Sequence, residues 1–257
     1  MKRIITALVA ASAASTFAGD FIQWTDTSVS LLAGTGFEVD PEDQTTVTLE
    51  HANGWEYGDF FWFNDFIYFN GDQNSAGDDA SYYGEIAPRF SLNKMTGKDL
   101  SVAFIKDWLI ATCYEYGRGV NLDEYGHNML VGAGVDLDVP GMDFVQLNAY
   151  QRFDLKGGNG ESIQLTGVWK YSRPMGKTTF IFDGFLDWVV NDDGLYSKNL
   201  HFCPQVKFDI GTLWGWNPNR LNVGVEYDYW SNKYGIKDSN VFPTTQSAIS
   251  LLVKSHF

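Results

Sequence analysis

About twelve segments of this chain, each roughly ten residues long, alternate strictly between apolar and polar side chains. Near the C-terminus Leu221, Val223, Val225, Tyr227 and Tyr229 oppose Asn222, Gly224, Glu226 and Asp228. Between Asp143 and Asp154, Val145, Leu147, Ala149 and Phe153 oppose Gln146, Asn148, Tyr150, Arg152 and Asp154. Between Glu85 and Asn93, Ile86, Phe90 and Leu92 oppose Glu85, Arg89, Ser91 and Asn93. Successive side chains of a strand point to opposite faces, so each segment reads as a strand with one oily and one wet side. The segments start near Ser28, Thr45, Gly58, Tyr82, Asp107, Tyr125, Asp143, Glu161, Thr178, Asn199, Arg220 and Gln246.

The connections alternate too. Short turns at Asn53–Glu56, Lys94–Lys98, Val139–Gly141, Ser172–Gly176 and Leu213–Asn219 mostly hold Gly or Pro. Longer polar links fall at Val39–Gln44, Gly71–Ser81, Arg118–Glu124, Val190–Lys198 and Asn232–Thr244, with a shorter one at Gly157–Gly160. An even strand count with short turns at one end and longer loops at the other is the pattern of an outer-membrane β-barrel. A soluble sandwich also alternates. Three features favour the barrel over it. Large aromatics (Trp24, Trp169, Trp188, Tyr229) lie near strand ends on the apolar parity and suit interfacial girdles, while the polar parity carries many charges. The last segment, Gln246 to Phe257, places Ile249, Leu251, Val253 and the terminal Phe257 on one parity. Pro88 and Pro204 fall inside expected strands, where the missing N–H predicts a bulge.

Lys2 and Arg3 followed by the short apolar stretch Ile4–Ala14 and by Thr16-Phe17-Ala18 read as a secretory signal peptide over residues 1–18, leaving 19–257 as the barrel. Beyond it no apolar run approaches the roughly 18 residues of a membrane-spanning helix. The net charge is −14, with 16% aromatic residues. That excludes a nucleic-acid binder, which needs the opposite sign, and a disordered acidic chain, which lacks rings. Cys113 and Cys203 make no disulfide framework; they read as small buried or lumen residues.

An enzyme reading finds no nucleophile. The segment nearest a barrel phospholipase site is His51-Ala52-Asn53-Gly54, which has no serine, and His127, His201 and His256 lack one two residues on. No His/Cys cluster has ligand spacing, and Asp78-Asp79 and Asp192-Asp193 are loop acids of at most weak calcium affinity. No cofactor is expected. The candidate site is Gly58-Asp59-Phe60-Phe61-Trp62-Phe63-Asn64-Asp65-Phe66. If carboxylates face the lumen, Asp59, Phe61, Phe63 and Asp65 point inward, with Phe60, Trp62 and Phe66 toward lipid. Rings beside carboxylates in a wet pore suit a flat, hydroxylated solute: ring faces stack on a base at about 1–3 kcal/mol each, and carboxylates accept from sugar hydroxyls. Channels need such weak sites, because a tightly held solute does not leave. Equally, Phe61 and Phe63 would fill a narrow lumen; the pattern leaves both readings open.

The chain resembles the nucleoside-specific outer-membrane channels of the Tsx family, in particular the branch that includes the vibriophage-receptor porin. The resemblance rests on Gly54-Trp55-x-Tyr57-Gly58-Asp59-x-Phe61-x-Phe63-x-Asp65, Tyr83-Gly84-Glu85-x-x-Pro88-Arg89, Asp136-Leu137-Asp138-x-Pro140-Gly141-x-Asp143-Phe144, Phe182-Asp183-Gly184-Phe185-x-Asp187 and Gly224-Val225-Glu226-Tyr227-x-Tyr229-Trp230-x-Asn232-Lys233. It implies a monomeric twelve-stranded outer-membrane barrel that passes nucleosides and deoxynucleosides by diffusion. Its loops then serve as receptors for bacteriophage or bacteriocin. Carried over by position, Asp59, Phe61, Phe63 and Asp65 form the aromatic–acid strand, Glu85 and Arg89 the next strand's inward charges, and Asp187 a later one. Two alternatives keep the barrel: a small cation-favouring general porin, and a receptor or adhesion surface made by the loops.

Overall fold

The computed structural model describes residues 21–118, 125–155, 161–194 and 196–257. The expected signal segment and most of the links at 118–124 and 157–160 lie outside the described residues. Twelve antiparallel strands run in chain order around a closed barrel. They are β1 (Ile22–Thr35), β2 (Gln44–Trp55), β3 (Gly58–Tyr68), β4 (Ala80–Ser91), β5 (Ile105–Arg118) and β6 (Tyr125–Leu137), then β7 (Phe144–Asp154), β8 (Glu161–Met175), β9 (Thr178–Val189), β10 (Asn199–Asp209), β11 (Leu221–Ser231) and β12 (Gln246–His256). β1 pairs with β12 from Ser28↔His256 to Thr35↔Ile249, which leaves no free edge. No helix among the described residues is long and apolar enough to cross a membrane; in a barrel the strands do so.

The solvent preference of the two faces is inverted relative to a water-soluble fold. Along β12 the residues facing inward, Gln246, Ala248, Ser250, Leu252 and Lys254, are buried, while Ile249, Leu251 and Val253 face outward and are exposed, Leu251 at 71%. An apolar outer belt of this kind is stable only against hydrocarbon. What is buried lies inside the barrel. Ala111, Cys113, Leu130 and Tyr150, with Ala87 against them, fill the wall of β4 to β7 from within. Cys113 and Cys203 are both buried and unbridged.

Every expected strand start falls within two residues of the observed one except the first, which lies at Ile22 rather than near Ser28. A register shift between Ile22 and Trp24 breaks the alternation there. From Trp24 onward the register is unbroken, and Trp24 shares the inward parity of Asp26, Ser28 and Ser30, which corrects its reading as a girdle residue. It pairs with Gly54, and a Cβ at Gly54 would meet its Nε1 at 2.1 Å, so the indole covers the inner wall instead of joining an outer girdle. The expected bulges at Pro88 and Pro204 are absent. Pro88 stays in register with Phe60 and Pro204 with Gly184. On the β5 side the Thr112 hydroxyl donates to the Pro88 carbonyl at 2.8 Å, a side-chain bond between the two strands beside the missing N–H. Leu92 and Asn93, read as strand, instead open a short helix α1 (Leu92–Thr96). Ser91 caps it by accepting from the Lys94 N–H, and Gly97 closes it at φ 66°. The β4–β5 connection is therefore longer than the turn expected at Lys94–Lys98, reaching Phe104.

Candidate functional site

The inward row of β3 is the one expected. Asp59, Phe61, Phe63 and Asp65 stand opposite Arg89, Ala87, Glu85 and Tyr83 of β4, all on the lumen parity. On the other parity the Trp62 indole N–H donates to the Tyr116 hydroxyl at 3.0 Å, outside the wall. The seven nominated residues divide into three groups.

At the turn end Arg89 is held by two N–H donations to Asp59, at 2.9 and 2.6 Å, and by a third to Asp136 at 3.0 Å. Its side chain is 5% exposed. Such a fork-to-carboxylate pair is rigid, and it neutralises the guanidinium. Higher on β3, Phe61 and Phe63 have ring centroids 5.8 Å apart with planes at 35°, and Phe63 meets the Tyr83 ring at the same separation. Phe61 is 37% exposed, so one ring face stays open to the lumen.

The third group is acidic and spans the barrel. Asp65 accepts from the Thr48 hydroxyl at 2.5 Å and lies within electrostatic range of Glu50, Glu226 and Asp228. Glu85 accepts from the Tyr83 hydroxyl at 2.8 Å and lies within range of Glu115 and Asp187. Asp187 in turn accepts from Gln164 at 3.1 Å and from the Thr166 hydroxyl. β3 and β11 lie four strands apart around the closed ring and β4 and β9 five, so carboxylates of strands that do not pair lie within electrostatic range of one another through the lumen. Most lumen cations are committed: Arg152 to Glu115, Lys207 to Asp183 and Lys254 to Glu50. Asp65, Glu85 and Asp187 carry hydroxyl or amide partners instead, leaving acceptor capacity toward the pore.

A second aromatic–acid patch was not nominated from the sequence. Across β9, β10 and β11 the His201 imidazole stacks on Trp230, with centroids 4.1 Å apart and planes at 3°, and meets the Phe185 edge at 4.9 Å. His201 Nε2 lies 3.1 Å from Asp228. Its signal was present: Trp230 continues the wet parity of Glu226 and Asp228, an unusual place for an indole. Above it the β1–β2 and β11–β12 loops are tied together. Lys233 Nζ donates to the Glu38 carbonyl at 2.9 Å and to Gln246 at 2.6 Å, with Asp40 at 3.6 Å, and the Tyr234 hydroxyl donates to Asp40 at 2.7 Å. Burial lowers the Lys233 ammonium pKa even though Asp40 pulls the other way, and burial beside Asp40 raises the Tyr234 hydroxyl.

Among the described residues no group of three or more His, Cys, Asp or Glu side chains is placed to hold a metal ion. Of the loop acids, Asp78 is engaged by Arg118 at 2.7 Å.

Comparison with known proteins accords with this geometry. A solved porin, NanC, superposes over 89% of this chain and 98% of its own with a TM-score of 0.50 at 12% identity, a likeness of fold. The nucleoside-specific channel-forming protein Tsx of Salmonella typhimurium is 26% identical over 80% of this chain and 73% of its own length. The outer membrane protein OmpK of Vibrio parahaemolyticus is 27% identical over 63% of this chain and 59% of its own length. The model of the family described as nucleoside-specific channel-forming protein, Tsx, matches residues 20–256. With that match over a closed barrel whose outer face is apolar and whose lumen is charged, the chain belongs to the Tsx family of channel-forming outer-membrane proteins.

Proposed function

We propose that the chain is a passive, energy-independent channel for nucleosides and deoxynucleosides, working as a monomer after removal of residues 1–18. The observation that carries this reading is the open Phe61–Phe63 ring pair among acids whose hydrogen-bond partners are hydroxyl, thiol or amide groups: Asp65 on the same strand, Glu85 opposite Phe63, and Asp187 across the lumen. A base slides over the rings while its sugar hydroxyls donate to the carboxylates. Each contact is weak, and that allows release. Asp59 and Arg89 bound the site at its turn end by holding each other. The Phe185–His201–Trp230 patch lies nearer the loop end and offers a second, weaker stacking surface, giving a solute two stations along the pore. A low-affinity ladder of this sort speeds a chosen solute without trapping it.

Planar-bilayer recording tests the reading. Added uridine or thymidine is expected to reduce single-channel current in a saturable way, and liposomes are expected to admit nucleoside faster than glucose. Equal rates for nucleoside and glucose with no current reduction would favour a cation-preferring general pore and reject the proposal.

A further inference from the structure

The two ends of the barrel differ in what they expose. The loops present carboxylates, among them Asp43, Asp72, Asp79 and Asp238. One sector of the turn end presents the reverse. In the turn joining β10 to β11, a 3-10 turn at Gly211–Trp214 carries Leu213 and Trp214, exposed at 54% and 63%, with Trp216 beyond it at 51%. The two indoles meet edge to face at 5.8 Å. The Thr212 hydroxyl donates to the Lys177 carbonyl at 3.0 Å, which fastens this turn to the β8–β9 turn, where Met175 is also exposed. Arg173, Lys177 and Arg220, at the turn-side end of β8 and in the two turns, are themselves exposed, Arg220 with one N–H donated to the His256 carbonyl at 3.0 Å. Arg173 pairs with Phe180 on the outward parity, so it is a cation at the edge of the lipid-facing belt.

The carboxylates of the turn-end half of this sector do not offset that charge at the surface. Asp183 faces inward onto Lys207 at 2.8 Å, and Asp209, 1% exposed, accepts from the Thr212 and Asn219 N–H groups. The exposed acids nearest to this sector, Asp138 and Asp143, belong to the neighbouring β6–β7 turn, Asp143 with its own N–H bonded to the Lys170 carbonyl.

We infer that this sector is a binding site for anionic phospholipid headgroups of the leaflet on the turn side, with Leu213, Trp214 and Trp216 seated at the acyl boundary and Arg173, Lys177 and Arg220 on the phosphate. The chemistry fits on both counts. Indoles prefer the interface between hydrocarbon and headgroup. Arginine matches the phosphate with two parallel donors, and its stem lies along the apolar belt while the head reaches the polar layer. Short turns of outer-membrane barrels face the periplasmic leaflet, the leaflet built of phospholipid. No residue here touches the lumen, so the inference stands independently of the solute.

Native mass spectrometry of the full barrel released from detergent, titrated with phosphatidylglycerol or phosphatidylcholine, tests it. Wild type is expected to retain phosphatidylglycerol in preference to phosphatidylcholine, by roughly fivefold for each engaged cation. Arg173→Gln with Lys177→Gln is expected to abolish most of that preference while heat resistance on gels is kept. Trp214→Ala with Trp216→Ala is expected to lower retention of both lipids. Equal retention of the two lipids by wild type, an unchanged preference in the charge variant, or unchanged retention in the tryptophan variant would each overturn the inference. So would displacement of the lipid by inorganic phosphate, which would make the site one for a free anion.

Discussion

The two aromatic–acid patches of the lumen use similar side chains in opposite ways. On β3, Phe61 and Phe63 lie two residues apart on one strand, tilted at 35°, with an open ring face beside acids bonded to hydroxyls. On β9 to β11, His201 and Trp230 already cover each other face to face, and the acid next to them, Asp228, is engaged by the histidine. A ring pair that has satisfied itself has less to offer a passing base. The difference teaches that aromatic content alone does not make a solute site; an unspent ring face beside an unspent acceptor does.

The largest expected effect tests what holds the first patch in place. Arg89→Gln leaves Asp59 and Asp136 facing each other without the cation between them. The cost is expected near 3 kcal/mol, the low end for a broken buried pair because both carboxylates are partly exposed. Urea unfolding in lipid vesicles measures it, and a loss under 1 kcal/mol would show that the pair is not a structural clamp. Next, Phe61→Ala with Phe63→Ala is expected to weaken nucleoside block of the channel current by about tenfold or more, leaving glucose permeation unchanged. Unchanged block would move the station elsewhere. Third, Trp230→Ala is expected to weaken the same block by only about threefold, since part of its stacking is already used on His201. A larger loss than in the phenylalanine variant would reverse the ranking of the patches.

The smallest effect concerns the loop above the second patch. Asp238 accepts from the N–H groups of Thr244 and Thr245 at 2.6 and 3.1 Å, and those bonds hold its pKa below the ordinary 3.8. A depressed carboxylate stabilises the folded loop above 3.8 and loses that contribution as pH falls through its own lower value. Amide exchange at Thr244 and Thr245 is therefore expected to quicken only below pH 3.8, with the strands unaffected. Exchange that quickens well above that pH would mean another group holds the loop.

The sequence by itself determined the barrel, the number of strands, every start but the first and the inward row of β3, because a strand's two-residue period writes each face directly into the residue order. It misplaced Trp24, which shares the inward parity of Asp26 and Ser28, and it gave Pro88 a bulge where the strand stays in register. Closure decided the rest. Which carboxylates meet across the lumen, which cations they occupy, and that Phe185, His201 and Trp230 gather on one wall depend on stagger between strands distant in the chain. Periodicity tells a side chain which way to point; only the closed cylinder, through its shear and diameter, decides what it meets there.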